Sequence, residues 1–297
     1  MVNLITSITK IEDIIKLKNA GVTSVIVGSN VFSMRSVSFF LDEELKECKE
    51  VCKANNINMY VLVNRFFMDK DLEGLRKHLS YLKKLDVDGI YFSDLGVYYE
   101  AKQLDMQSKL IYNPDTLLTN ASDIQAYLDL GISMCTISKE ITLEDMVEIG
   151  KSVHGNLEVI VHGRLVMMDS KRMLLSNYME FIQKEKSLKY NDCLYLKEEH
   201  REEHMPIVED EDGTHVFTGF TLAAFEEVED LVKSGIKNLR IERLFYNVDE
   251  VCKIVSDYKR VLESPREGRL LYKTYENKYP SHNITKGFMY KKTGAKK

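Results

Sequence analysis

Glu158, His162, Arg164 and Arg172 are the side chains of this sequence whose types and spacing most suggest chemistry, and all four fall within one stretch, residues 158–176. Val159, Ile160 and Val161 open it as a buried β-strand, being apolar and β-branched. The strand stops at His162-Gly163, where glycine frees the backbone to turn. A histidine at that point could serve as a general base or as a donor to an anion; equally, it could close the strand by bonding a neighbouring loop. Glu158, four residues earlier, shares the facing of His162 by strand alternation. A carboxylate facing an interior needs a partner, so a structural ion pair or hydrogen bond is expected there. Arg164 and Arg172 could clamp a carboxylate or phosphate between them, or could be plain surface charge.

Polar groups straight after a buried strand belong to the carboxyl edge of a parallel sheet, where ligand sites of α/β folds lie. The rest of the chain supplies such a sheet. Short apolar runs beginning near residues 2, 23, 59, 89, 109, 134, 157 and 238 alternate with helical patterns. Each unit is punctuated by Gly or Asn. Thr142 with Asp145 has the spacing of a capping box, and Asn120 or Ser122 opens the preceding helix. Eight β/α units in series predict a closed (β/α)8 TIM-type barrel spanning residues 1–263. Its rim would collect Ser29, Asn30, Asn64, Arg65, Asp94, Asn113, Ser138, Glu140, His162, Arg164, Glu242 and Arg243. Of these, Asn64, Arg65, Asn113, Arg164 and Glu242 are the candidate substrate-binding groups. Glu158, His162 and Arg172 are the candidate catalytic ones. Amides and basic groups together suit a small acidic ligand or a phosphodiester.

Residues 165–220 interrupt the period as an insertion after the seventh strand. Asp212-Gly213 between two β-prone runs predicts a hairpin inside it, and after the insertion a helix is expected from about Leu222 to Ser234, then the eighth strand and a last helix from Val248 to Leu262. The charge is uneven. From Ser264 to Lys297 nine Lys/Arg face two Glu, a local +7, which leaves −12 on the first 263 residues of a chain of net −5. This tail interleaves its charge with Tyr272, Tyr275, Tyr279, Phe288 and Tyr290. It could cover a phosphate backbone and stack on bases, or strap itself across the acidic body.

Composition narrows the class. With 44% hydrophobic and 29% charged residues the chain is an ordinary globular one, with no apolar run long enough to span a bilayer. Five cysteines and no secretory leader argue against a disulfide framework and for a cytoplasmic setting. Metal is not expected: Cys48 and Cys52 lie one helical turn apart with no second pair, and His200 and His204 share that spacing without a zinc-protease glutamate.

The 158–177 stretch resembles the signature of the collagenase-like peptidase family of unknown catalytic type. That signature reads roughly Glu-x-Phe-x-His-Gly-Ala-Leu-Cys, a short gap, then Gly-x-Cys-x-Leu-Ser. Glu158, His162, Gly163, Leu165, Arg172, Leu175, Ser176 and Asn177 match it. Val166 and Met173 stand where the family has cysteines, Arg164 replaces a small residue, and Lys171 replaces glycine. Pro206–Phe217, Leu231–Glu242 and Ser281–Phe288 are similar to later family segments, although Arg243 follows Glu242 where the family usually has glycine.

The resemblance implies a barrel and one of three functions. Members that modify RNA hold an iron–sulfur cluster on four cysteines. This chain, with only Cys193 near the required segment, would bind no such cluster alone. It would then act as a cysteine-poor subunit beside a cysteine-rich paralogue, in prephenate-dependent 5-hydroxylation of the wobble uridine of tRNA. The family name implies the alternative, a peptidase or collagenase-like hydrolase. The third is a non-catalytic partner or RNA-binding subunit.

Overall fold

In a computed structural model, which describes residues 2–184, 187–197, 199 and 203–291, the chain forms a closed (β/α)8 barrel. Its strands are β1 (Asn3–Ser7), β2 (Ser24–Ser29), β3 (Asn58–Leu62), β4 (Gly89–Phe92), β5 (Leu110–Tyr112), β6 (Met134–Thr136), β7 (Asn156–Gly163) and β8 (Asn238–Ile241). Each pairs in parallel with its successor, and β8 closes the ring on β1 through Asn3↔Asn238 to Thr6↔Ile241. The eight runs of the sequence are these eight strands.

Strand alternation divides the core in two. Ile5, Ile26, Tyr91, Ile111 and Met134 fill the barrel interior. The opposite faces, with Val25, Val61, Ile90, Val159 and Leu239 among them, pack against the surrounding helices as one large apolar layer. Local signals hold the helices in place. Thr142 and Asp145 form the capping box, the Asn120 side chain accepts from the Asp123 amide at 2.9 Å, and Gly131 takes a φ of +88° after the Asn120-capped helix.

The expected helix start at Leu222 is a correction. Thr221–Ala223 is a short strand, antiparallel to the upper end of β7 through Leu222↔Gly163 and Ala223↔His162, and the helix begins at Val228. The reason is a length mismatch. β7 runs for eight residues beside a β6 of three, and the β6 ladder stops at Glu158. The exposed backbone above that point recruits a strand. Ile284–Thr285 then adds to this strand in parallel.

The insertion builds a small antiparallel sheet over the barrel mouth. Strands Tyr195–Lys197, His204–Glu209, Thr214–Phe217 and Val166–Ser170 lie in that order, with the hairpin turn at Asp212-Gly213. Gly213 (φ +145°) is required there, because a Cβ would sit 1.9 Å from the Ser170 carbonyl oxygen. The helical spacing read for His200 and His204 does not hold, since His204 opens a strand and His200 lies outside the described residues. Helix Leu174–Phe181 rests on this sheet with its amino end bound by buried Glu209, which accepts from the Leu175 amide at 2.8 Å and the Ser176 amide at 3.2 Å. Glu209→Ala should therefore weaken this helix by about 1–2 kcal/mol, seen as faster amide exchange across 174–181 with the barrel unaffected.

Downstream, helix Gly268–Lys278 buries Leu271 and Tyr275 against the barrel wall. Lys286 pairs with Glu226 at 2.8 Å and with Glu227. Residues 292–297 of the basic tail lie outside the described residues.

Candidate ligand site at the barrel mouth

The loops that leave the carboxyl ends of the strands enclose a cavity of about 60 Å³. Space of that size holds roughly four to six waters at about 10–15 Å³ each. Its polar lining comes from distant parts of the chain: Arg35 after β2, Asn64 after β3, Asn113 and Asp115 after β5, Lys139 after β6, Arg164 after β7, and Arg240 and Glu242 on and after β8. Phe217, Phe245 and Tyr246 supply an aromatic wall, with Phe217 and Phe245 edge to face at 5.1 Å.

Opposite charges interlock through this lining. Arg35 reaches Asp115 at 2.9 Å and Asp169 at 3.3 Å, and Lys139 reaches Asp115 at 3.3 Å. Arg240 holds Glu158 at 3.0 Å and Glu242 at 2.9 Å, its guanidinium 5.4 Å above the Tyr91 ring. Burial works against the charge on Arg35, but Asp115 and Asp169 outweigh it and raise its pKa. The same contest at Arg240 is won by Glu242 and Glu158. Burial depresses Lys139, only partly opposed by Asp115. Asp115 itself, although burial pushes upward, is held well below the usual carboxylate range by Arg35 and Lys139.

Two of these residues sit in strained backbone. Arg35 has φ +57° and Asp115 φ +65°. A non-glycine residue held there stores on the order of 1–3 kcal/mol, a feature that clusters at functional sites. Among the described residues, three buried polar atoms of the lining side chains have no hydrogen-bond partner: Asn113 Oδ1, Arg35 Nε and Arg240 Nε.

The candidate residues divide clearly. Asn64, Asn113, Arg164 and Glu242 line the cavity. Asn64 also shapes it, its Oδ1 accepting from the Met34 amide at 3.1 Å. Glu158 lies below the cavity, fully buried, bound by Arg240, the Tyr91 hydroxyl and Thr136 Oγ1 at 2.8 Å. That is the structural pairing its interior position demanded.

Arg65 is on the same end of the barrel but outside this lining. It binds the Val31 carbonyl at 2.6 Å and lies 3.2 Å from Asp212, tying the β3 loop to the insertion. Arg172 is exposed on the insertion, while Arg164 donates to the Thr218 carbonyl at 2.7 Å; the two do not form a clamp. Arg243 is a bolt rather than a rim group, buried against Asp13 at 2.9 Å and the Ser7 carbonyl at 3.1 Å.

His162 is the main correction. The β7–β8 register slips between Ile160 and His162, so one extra residue enters β7 and the alternation from Glu158 is broken. Ile160 lines the cavity, but His162 turns outward into a box of Phe225, Tyr246, Tyr258 and Tyr275 rings. Its Nδ1 lies 3.3 Å from the Tyr258 hydroxyl. Burial pushes its pKa down to about 3, so it is neutral at any physiological pH and shut off from the mouth. His162→Phe should accordingly change stability by under about 1.5 kcal/mol, whereas His162→Ala should lose about 2–4 kcal/mol in thermal or denaturant unfolding.

Arg35, Asp115, Lys139 and Arg240 are the charged cavity residues that sequence reasoning passed over. Arg240 had a legible signal, a cation inside an apolar strand between Leu239 and Ile241. Asp115 and Lys139 stood in strand-end turns among other polar residues. Arg35 lies in an aperiodic loop, and nothing local marks it.

The model of "Peptidase family U32" matches residues 9–297. "tRNA hydroxylation protein P2" of Bacillus subtilis is 26% identical over 98% of both chains. "tRNA hydroxylation protein P1" of the same organism is 23% identical over 84% of this chain but only 61% of its own length. A solved U32 peptidase structure overlays with a TM-score of 0.52 at 14% identity, covering 82% of this chain and 93% of the other, a likeness of fold alone. Among the described residues, no helix is long and apolar enough to cross a membrane. A family match spanning nearly the whole chain settles its membership: the protein belongs to peptidase family U32.

Proposed function

We propose that this chain is a subunit for prephenate-dependent 5-hydroxylation of the wobble uridine of tRNA, working beside a longer, cysteine-rich paralogue and holding no iron–sulfur cluster of its own. The observation that carries this reading is the pattern of lengths. The chain matches the P2 protein from end to end, whereas P1, the other tRNA hydroxylation protein of that organism, extends well beyond it. Two proteins named for one modification in one organism support a division of labour.

The donor set supports the cluster-less part. By the resemblance to the family signature, Val166 and Met173 stand where its cysteines would fall. Cys48 and Cys52 are buried on an outer helix with thiols pushed up to about 12 by burial, and Cys135 is buried in β6. Cys193 alone lies in the insertion. Four thiolates converging on one point cannot be drawn from these places.

The peptidase reading would need a base facing the mouth, and His162 is turned away from it, neutral and sealed. A non-catalytic partner or RNA-binding subunit remains the nearest alternative and differs in leaving modification intact when its mouth residues are changed.

Co-expression with the longer relative from the same genome tests the pairing. A stable complex is expected in which iron follows the longer chain, while this chain purified alone is colourless. Failure to co-purify, or iron bound by this chain alone, would contradict it.

A further inference from the structure

The mouth is divided in two. Beside the 60 Å³ cavity lies a second hollow of about 340 Å³, bordered by Phe66, Leu117, Met167 and Met168, each more than a third exposed. The two spaces share four lining residues, Met34, Asp115, Lys139 and Val166, which form the partition between them. The inner space alone is too small for most organic ligands. Joined, the two come to roughly 400 Å³, within the range of small-molecule sites.

Met34 and Arg35 belong to the loop between β2 and a short strand, Phe39–Phe40. The first part of this loop is fixed. Phe32 packs against the large apolar layer and stacks on His78 at 4.1 Å, and Ser33 donates to the Ser29 carbonyl at 2.7 Å. The second part is held by polar bonds. Met34 is 2% exposed, yet among the described residues it belongs to no apolar cluster. Asn64 accepts from its amide at 3.1 Å and donates to its carbonyl at 3.4 Å, and the Arg35 side chain spans Asp115 and Asp169.

That latch can be released without stranding a buried charge. Asp115 keeps Lys139 at 3.3 Å, Asp169 keeps His215 at 2.7 Å, and Arg35, carried on a loop, can turn to water. Opening would also relax the left-handed backbone of Arg35, φ +57°. Behind the loop lies Gly28, where a Cβ would sit 2.1 Å from Ser36 Oγ and 2.4 Å from the Ser38 carbonyl oxygen. The closed position therefore depends on that glycine having no side chain.

We propose that residues 34–38 are a gate between the two spaces, latched by Arg35 and opened for a ligand that reaches from the outer hollow into the inner cavity. On opening, Asn64 exchanges the Met34 backbone for the ligand. The gate does not depend on the tRNA reading and stands or falls apart from it.

Oxidation of the full chain with chloramine-T, followed methionine by methionine through peptide mass spectrometry, tests it. Met59 and Met146, 0% and 1% exposed in the barrel wall, report global unfolding, while Met167 and Met168 report free access. Met34 should oxidise at a rate between the two pairs. Arg35→Gln should speed Met34 about tenfold, and Arg35→Lys, which keeps a cation, should fall between it and the wild type. Gly28→Ala should speed Met34 at least as much, by wedging the loop away from β2. Met59 and Met146 should not respond. Equal Met34 rates in the wild type and all variants would overturn the proposal, whatever their size. So would a Met34 rate that rises only together with those of Met59 and Met146.

Discussion

Replacing Arg240 with methionine should destabilise the barrel by about 3–5 kcal/mol. Arg240 is 5% exposed and is the cation within ion-pair reach of both Glu158 and Glu242. Its removal leaves Glu158, fully buried inside the barrel, as a carboxylate that, among the described residues, only Tyr91 and Thr136 bind. The penalty is that of an isolated buried charge, so it has a pH signature. Burial already raises the Glu158 pKa despite Arg240 beside it, and without that cation the folded pKa moves further above its unfolded value. Such a group adds stability below the unfolded carboxylate pKa and loses it as pH rises through the folded one. Thermal unfolding of Arg240→Met should therefore show a melting temperature that climbs as pH falls from neutral toward 5. Adding Glu158→Gln should recover much of the loss and flatten the pH profile. Equal instability at every pH, unrelieved by Glu158→Gln, would show that Arg240 matters by its bulk alone.

His215 should govern how firmly the insertion sits on the mouth. Buried on strand Thr214–Phe217, it places Nδ1 2.7 Å from Asp169 and Nε2 3.2 Å from Asp210. Asp169 in turn holds Arg35, which holds Asp115 at the cavity. A chain of alternating charges thus runs from the insertion into the ligand site. Burial alone would lower the His215 pKa, but the hydrogen bonds and charges of Asp169 and Asp210 prevail and raise it. The sign follows. A folded pKa above the unfolded value gives stability that is complete below the ordinary histidine pKa, near 6.5, and is lost as pH rises through the folded value. Amide exchange in 166–170 and 204–217, corrected for intrinsic rates, should accelerate as pH is raised from 6 to 9 while β1–β6 stay protected. His215→Leu should cost about 2–4 kcal/mol, because two carboxylates lose a buried cation, and should abolish that pH dependence. Uniform exchange across barrel and insertion would mean that this chain of charges does not control docking.

Much of the architecture was legible because it rests on local signals. The eight strands follow from apolar β-branched runs closed by Gly or Asn, and Thr142, Asp145 and Asn120 act as caps where their spacing placed them. Glu158 was readable as a buried, paired carboxylate from alternation alone. His162 was not, because alternation fails at a bulge, and a bulge is set by the register between β7 and β8 rather than by either sequence. The Thr221–Ala223 strand escaped for a similar reason. It exists because β7 outruns β6, a fact of the assembled sheet. Rim membership could be guessed for Asn64, Asn113 and Glu242, which directly follow strands. Arg35 could not be found, since only the fold brings its aperiodic loop to Asp115 and Asp169.

The charge pattern shows why counting basic residues misleads. Arg65, Arg164, Arg172 and Arg243 all looked like anion-binding groups in the sequence. In the folded chain Arg243 is a structural bolt, Arg65 a strap to the insertion, and Arg172 a surface group. Arg164 alone of the four faces the cavity. What remains at the mouth is a polar, nearly charge-balanced cup held in strained backbone.

Nucleoside mass spectrometry of tRNA from a strain lacking this gene is the most direct test of the account. The predicted result is loss of 5-hydroxyuridine-derived nucleosides at the wobble position, restored by the wild-type gene and not by Asn113→Ala. Unchanged levels of those nucleosides in the deletion strain, with the longer relative present, would contradict the assignment of this chain to tRNA hydroxylation.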